Sequence, residues 1–498
     1  MMLVHQLIHQ GKNENVAFYD TECITYEKLR ENVTIYRNLF INSGVRPGDN
    51  VGLCSRNSVE FVFSYMAIIS LGAVVVPLNF QLTTREIAYI IKDAQMKYLI
   101  TAEQLYLDDE LLQCGYKQEV TQFVIRELKR RLSQENIEPV LTVNSEFSDN
   151  RPCVIIYTSG TTGNPKGAIL THKNLVSNAI ALRDVLQLCS TDNVLCVLPM
   201  YHCFAWTCAI LNPLLCGASI TILEGFSPKE TIATIKKHRV TVVYGVPPIY
   251  NFLSRFGETE DLAGVRFFVS GGASLPEQVA TKFFERYGTN IIEGYGLSEA
   301  SPVVTLNPPE KTKYFSIGKA LSGLEVKVVN AAGESLPPGI VGELIVKGPS
   351  VMQGYYNLPF ETSQALKDGW LHTGDLAYQD TEGYFFIVDR LKDMIITNGE
   401  NIYPREIEEL LYAYPGITET AVIGVPDDIR GQAAYAYLVL EEGHGFDKKA
   451  IRENLQNKLA GYKIPRDFIL VDALPKNQTG KILKRVLREQ TVSKVHNS

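Results

Sequence analysis

Residues 153–167 read Cys-Val-Ile-Ile-Tyr-Thr-Ser-Gly-Thr-Thr-Gly-Asn-Pro-Lys-Gly. The apolar run Cys153 to Ile156 predicts a buried strand, and the chain changes character directly after it. Four side-chain hydroxyls of Ser and Thr, three glycines and one lysine fall between Tyr157 and Gly167. Backbone amides of such a loop, flanked by hydroxyls and a cation, can cradle phosphate oxygens. The spacing is not G-x-x-x-x-G-K-[ST], so the loop is not of the Walker type. On its residues alone it also reads as a polar surface turn built on Gly-Asn-Pro.

Outward from this loop, short β-branched runs alternate with helical patterns. Val194 to Leu198, Ser219 to Leu223, Thr241 to Tyr244 and Arg266 to Ser270 predict buried strands of a layered α/β domain. Leu29, Val33, Tyr36 and Phe40 recur at helical spacing between Thr25 and Gly44. Phe61 to Phe80 carries no charge and is as long as a membrane span. Gly72 and Pro77, with Val74-Val75-Val76 between them, instead predict a buried helix followed by a strand. From Ile317 to about residue 391 the helical period gives way to short strands between Gly and Pro turns, as at Glu325 to Val329 and Gly342 to Val346. This predicts a small β-rich, barrel-like subdomain. Beyond it, a helix opened by Pro404, strands at Thr420 to Val425 and Ala433 to Leu440, and a helix carrying Ile451, Leu455 and Leu459 predict a small α/β domain. The expected division is residues 1–391 and 392–498.

The 498 residues carry 48 Lys and Arg against 55 Asp and Glu, a formal charge of -7, which leaves no global basic field for nucleic acid. Phosphate affinity must therefore be local. With 45% hydrophobic and 21% charged residues the chain is globular in composition. Nine cysteines at spacings that match no metal or redox pattern read as reduced core thiols. Met1 to Gln10 has no secretory features, so a cytoplasmic protein without transmembrane segments is expected.

Further motifs carry chemistry. Glu293-Gly294-Tyr295-Gly296-Leu297-Ser298-Glu299 joins glycines that admit a ligand to backbone, an aromatic able to stack a base, and a carboxylate able to hold a metal. Alone it would more often be a turn at a strand end. Gly271-Gly272-Ala273 follows the strand ending at Ser270. Leu371 to Asp375 and Val388 to Arg390 offer a carboxylate and a guanidinium able to clamp a ribose. Pro475 to Lys481 is a turn ending in a lysine remote in sequence from all of these, which would ordinarily be solvated.

In their order these motifs resemble the adenylate-forming superfamily of acyl-CoA synthetases, aryl-CoA ligases, nonribosomal adenylation domains and luciferases, over nearly the whole chain, with fatty acyl-CoA ligases most similar. The resemblance implies ATP, magnesium and coenzyme A as co-substrates and cofactor of an acid–thiol ligase, and a mobile C-terminal domain. It assigns Thr158, Ser159, Thr161, Thr162 and Lys166 to the β and γ phosphates. Glu293, Gly294, Tyr295 and Gly296 it places at the adenine, with Gly271, Gly272 and Ala273 beside it. Ser298 falls at the α-phosphate and acyl carboxylate, Glu299 at magnesium, and Asp375 and Arg390 at the ribose. Lys481 becomes the catalytic cation that bridges carboxylate and α-phosphate, and Lys392 the hinge. Thr397 to Glu400, with Gly399, becomes the loop that meets pantetheine; Asn398 stands where some relatives have glycine. His202, in Leu198 to Trp206, becomes the gate beside the acyl carboxylate. No aspartate between Tyr201 and Trp206 could pair a substrate ammonium, which disfavours amino acids. Phe204, Ala205, Val246, Pro247, Leu297 and Val303 imply an apolar pocket, suited to medium- or long-chain fatty acids or to aryl acids. The final acceptor is coenzyme A or the phosphopantetheine arm of a carrier protein.

Overall fold

A computed structural model describes residues 2–128, 147–158, 165–427, 429–476 and 482–495. The hairpin Pro152–Thr158 and Lys166–Thr171 stands at one side of a seven-stranded sheet. It is followed across the sheet by Val74–Pro77, Asn50–Cys54, Tyr98–Thr101 and Thr121–Val124. The inner strands run parallel, with Asn50–Cys54 between Val74–Pro77 and Tyr98–Thr101, so both faces need helical cover. Helix Val59–Ser70 supplies part of it: Ser58 caps its first turn through Phe61 N–H, and all of its residues are buried. Tyr65 stacks at 3.9 Å between ring centroids on Trp206, which Phe61 also touches. Each large apolar side chain buried there stabilises by roughly 1.5–3 kcal/mol relative to exposure. At 12 residues the helix ends short of Gly72 (φ +73°), and no helix among the described residues is long and apolar enough to cross a membrane.

The four runs expected as buried strands are realised at Asn193–Cys196, Ser219–Ile222, Val242–Gly245 and Phe267–Ser270. They lie side by side and parallel inside a nine-stranded sheet that continues through Ile291–Gly296 and Val303–Leu306. Helix Tyr26–Asn42 is capped by Thr25 and closed at Gly44 (φ +100°), where the sequence placed its ends. One large core spans both sheets.

The β-rich region is a five-stranded antiparallel sheet centred on Trp370–Gln379, which pairs with Gly342–Lys347, Leu366–Lys367 and Phe385–Arg390. Two β-bulges bend it, without the ladder closing among the described residues. A second five-stranded sheet belongs to the small C-terminal domain, with Ile417–Asp427 and Gly431–Leu440 at its centre. Helices Pro404–Tyr412, Lys448–Gln456 and Lys484–Val495 cover it, over a core of its own that includes Ile395, Ile407, Val422, Leu438 and Ile451.

Two histidines are sealed in the large domain. Val4 N–H donates to His172 Nδ1 (3.1 Å), and the ring of His5 meets His172 edge-on at 5.9 Å. Burial pushes His5 down to about 4 and His172 down to about 3; His9 and Arg37 act in the same sense on His5, Arg151 on His172, and Asp149 opposes. Below about pH 6.5 the unfolded chain takes up protons that the folded one refuses, so stability must fall as pH drops toward 4. At pH 5 each histidine withdraws about 2 kcal/mol of stability. The apparent Tm should therefore be flat from pH 8 to 7 and decline from 6.5 to 4.5. His172→Asn should reduce that slope by about half whatever its effect at pH 7.5; an unaltered slope would remove these histidines from the acid response.

Candidate active site

The phosphate side is built on the hairpin. Thr158 and Lys166 are cross-strand partners, and Thr158 Oγ1 lies 3.5 Å from the Lys166 carbonyl oxygen, so the two strands stay paired to these ends. Ser159, Thr161 and Thr162 lie outside the described residues, as does Lys481. The Lys166 ammonium stands 5.6 Å from the centre of the Tyr355 ring.

Opposite the hairpin is the end of strand Ile291–Gly296. Gly296 is demanded by packing: a Cβ there would sit 2.1 Å from the Pro302 carbonyl oxygen. The chain then turns through Ser298–Ala300, leaving Ser298 and Glu299 half-buried at the cleft. Glu299 Oε1 accepts a hydrogen bond from Tyr355 Oη at 2.9 Å. Ser298 Oγ lies 3.2 Å from the buried thiol of Cys203, which burial pushes up to about 12 and so keeps protonated.

Glu293 lies on the same strand as Tyr295. It is buried, and its Oε1 accepts from Leu275 N–H (3.1 Å), which ties the loop through Gly271, Gly272 and Ala273 to the strand. Burial pushes its carboxyl up to about 7, against the pull of Arg405. Gly272 takes φ +77°, and a Cβ on Gly271 would stand 3.1 Å from the Phe204 ring.

Asp375 and Arg390 are cross-strand partners in the β-rich sheet. Arg390 Nε is 3.0 Å from Asp375 Oδ1, and Tyr295 Oη donates to Asp375 Oδ2. The expected adenine and ribose residues thus form one connected group. Leu391 N–H reaches back to the Gly374 carbonyl, and Lys392 follows at the edge of this group, where burial and then the charge of Arg390 lower its ammonium. Gly399 (φ +83°) and Asn398 (φ +52°) form the two-residue turn of hairpin Ile395–Ile402, a left-handed pair for which Asn-Gly is the favoured sequence. Gly399 is exposed, away from the cleft residues just described.

On the acyl side, His202 Nδ1 accepts from Phe204 N–H (3.2 Å), which leaves the ring proton on Nε2. Ala205–Leu211 continues as a π-helix, a rare form that concentrates at functional sites, and every residue of it is buried. Phe204 packs edge-on to Tyr244. Val246 borders Gly272, and Val303 is buried in the same large core.

Two residues at the site were not anticipated from sequence: Tyr355, beside both Lys166 and Glu299, and Cys203, beside Ser298. Their contacts span 56 and 95 positions, and nothing in the local sequence of either announces them. Among the described residues no group of three His, Cys, Asp or Glu could cage a metal alone. One carboxylate facing a phosphate loop still suits magnesium, which keeps phosphate oxygens and water as its other ligands. Glu299 would hold it.

Known proteins carry the same plan. A model of the AMP-binding enzyme family matches residues 6–356, and one of the AMP-binding enzyme C-terminal domain matches residues 406–481. The chain is 36% identical to a feruloyl-CoA synthase of Amycolatopsis sp, over 94% of each chain. It is 35% identical to a long-chain-fatty-acid–CoA ligase of Bacillus subtilis, over 97% of this chain and 92% of the other. Among solved structures, ATP-bound MatB from Rhodopseudomonas palustris superposes with a TM-score of 0.92 at 31% identity over 99% of both chains, and apo MatB with 0.79. Since the matches run through the phosphate hairpin, the strand end and the small C-terminal domain alike, the chain belongs to the AMP-binding enzyme family and is a member of the adenylate-forming superfamily.

Proposed function

We propose that this chain is an AMP-forming acyl-CoA ligase for a medium- or long-chain fatty acid. A carboxylate is a poor electrophile, since its leaving group would be oxide, and it needs activation. Its oxygen attacks the α-phosphorus of ATP, the bond to the bridging oxygen breaks, and pyrophosphate departs. Sulfur of coenzyme A then attacks the acyl carbon and expels AMP.

The residues divide this work. Thr158, Lys166 and the loop between them hold the pyrophosphate end. Tyr295, Asp375 and Arg390 fix the nucleoside, and the Ser298 hydroxyl orients α-phosphate and carboxylate, itself held by Cys203. Magnesium, when bound at Glu299, supplies charge neutralisation on the triphosphate. Lys481 stabilises the negative charge that builds between carboxylate and phosphorus. His202 stands at the entrance to the acyl side.

The second half-reaction needs a different face of the C-terminal domain. Arg405 N–H donates to Asp389 Oδ2 (2.9 Å), and Arg405 Nη1 donates to the Ile387 carbonyl (2.9 Å). Rotation about Lys392 breaks both, withdraws Lys481 and carries Gly399 to the pantetheine. The better overlay on the ATP-bound relative than on its apo form supports reading the present arrangement as the one for adenylation.

The observation that carries the substrate assignment is the lining. Phe204, Ala205, Val246 and Val303 are apolar, and burial holds the Cys203 thiol protonated, so these described residues favour an uncharged acyl tail. The feruloyl relative makes aryl acids the second arm of the test. Pyrophosphate release measured over saturated acids of rising length, with cinnamic-type acids alongside, should peak between about C8 and C18; a preference for aryl acids would transfer the assignment to them. Supplying coenzyme A or a phosphopantetheinylated carrier protein in parallel identifies the acceptor, and thioester only on the carrier would overturn the coenzyme A assignment.

Lys481→Ala should slow acyl adenylate formation by about a hundred- to a thousandfold while thioester formation from supplied acyl adenylate stays within a few fold; equal losses in both halves would contradict a role confined to adenylation. Lys392→Pro fixes φ at the hinge. It should depress thiol transfer and spare adenylation, and an unchanged transfer rate would remove the hinge from Lys392.

A further inference from the structure

Residues 349–356 form a strap between the two halves of the nucleotide site. Asn174 Nδ2 donates to the Pro349 and Val351 carbonyls (2.7 and 2.9 Å), and Ser301 Oγ donates to the Ser350 carbonyl (2.7 Å). Met352 N–H donates to the Glu299 carbonyl (2.8 Å), which ties the strap to the carboxylate-bearing turn. Gln353 N–H and Tyr356 N–H then donate to Ile169 and Gly167 of the phosphate hairpin, and Gly354 and Tyr355 pair with Ile169 and Ala168. The strap's backbone is thus secured on both sides before any side chain of Tyr355 is considered.

That side chain nevertheless makes two contacts in the cleft. Its hydroxyl donates to Glu299 Oε1 at 2.9 Å, and its ring face lies 5.6 Å from the Lys166 ammonium. A phenol hydroxyl facing a carboxylate oxygen can only donate to it, since the ionised carboxylate has no proton to give. Donation engages one of the two carboxylate oxygens. A small divalent cation that prefers octahedral geometry takes one oxygen from a carboxylate, whereas a larger one accepts both. Outer hydrogen bonds of this kind orient the ligand, and losing one commonly costs ten- to a hundredfold in metal affinity.

We propose that Tyr355 is the positioning residue that makes Glu299 a one-oxygen ligand for the cation accompanying the nucleotide, while its ring holds Lys166 in reach of the phosphates. The role rests on the ligase assignment above and adds to it a residue that acts through Glu299.

The test is calorimetric titration of ATP in magnesium and in EDTA, without acid or thiol. Wild type should bind ATP more tightly with magnesium. Tyr355→Phe keeps the ring and loses only the hydroxyl; it should cut the magnesium advantage by about tenfold and leave affinity in EDTA within twofold of wild type. Glu299→Gln should abolish the advantage, and adding Tyr355→Phe to it should cost nothing more, since the two act as one unit. In turnover, Tyr355→Phe should raise the half-saturating magnesium concentration by a similar factor with the KM for the acid unchanged. A full magnesium advantage in Tyr355→Phe, equal losses with and without the metal, or an undiminished Tyr355→Phe effect on the Glu299→Gln background would each overturn the role. Wild type that failed to bind ATP at all would instead take down the ligase assignment, and this role with it.

Discussion

The site exists because two sheets with separate cores-facing helices are sewn together along one buried polar seam. Asn178 donates to the Val303 carbonyl and accepts from Val303 N–H, Asn174 holds the strap, and Thr207 Oγ1 donates to the Ser301 carbonyl. Asn174, Asn178, Thr207 and Ser301 are all buried. An unpartnered buried amide or hydroxyl costs about 1–3 kcal/mol, so each pair enforces its own register: a shift of one residue would strand several groups at once. The phosphate hairpin and the Ser298–Glu299 turn thereby acquire a fixed separation although they belong to different sheets. Everything the cleft does with a triphosphate depends on that separation.

A second constraint is electrostatic. A chain with formal charge -7 must gather a polyphosphate and a carboxylate into one cleft. Net charge works against this, and screening confines any remedy to about 8–10 Å. Cations are accordingly placed locally: Lys166 at the hairpin, Arg390 against Asp375, Arg405 beside Glu293, with Lys392 at the edge. The C-terminal domain meets the large one in the same neighbourhood through Arg405, whose N–H donates to Asp389 Oδ2, and is held together internally by further ion pairs. Lys484 pairs with Glu408 (2.7 Å) and Arg488 with Asp393 (2.5 Å), so the segment following Lys392 is braced by the last helix. Under the hinge proposed at Lys392, such a brace would make the domain turn as one body.

How much of this was legible in the sequence follows from where each signal resides. Strands buried on both faces read as continuous β-branched runs, so Asn193–Cys196 through Phe267–Ser270 were recoverable, as were the capped helix Tyr26–Asn42 and the helix before Gly72. The segment Glu293 to Glu299 was legible as a glycine-bearing strand end, and Gly296 is found there against the Pro302 carbonyl oxygen. What escaped is what tertiary pairing creates. Tyr355 looks like one tyrosine among many until the strap sets it against Ala168 and Glu299. Cys203 reads as a core thiol until the π-helix turn places it on Ser298. Glu293 was read as part of the nucleotide motif, and its side chain is found supporting the neighbouring loop through Leu275 N–H. The sequence pattern identified the segment, but only the fold distinguishes a carboxyl bonded to a loop amide from one bonded to a phenol.

That difference bears on how the cleft tolerates two anionic substrates. Every carboxylate facing a bound triphosphate would repel it unless paired, metal-bound or protonated. Asp375 is engaged by Arg390 and by the Tyr295 hydroxyl; Glu299 is engaged by Tyr355, and magnesium is the partner proposed for it. Glu293, buried beside the loop through Gly271 and Gly272, is pushed up to about 7 and so is partly protonated near neutrality. Cys203 stays a thiol. The walls therefore contribute little negative charge of their own, and the acyl side offers no fixed cation among its described apolar residues to hold the substrate carboxylate on approach. A cation is required only while oxygen attacks phosphorus, and it becomes a liability when the neutral thioester must form and leave. The proposed mechanism, with that cation on a C-terminal domain that swings away and resident walls near neutral, would meet both demands with a single site.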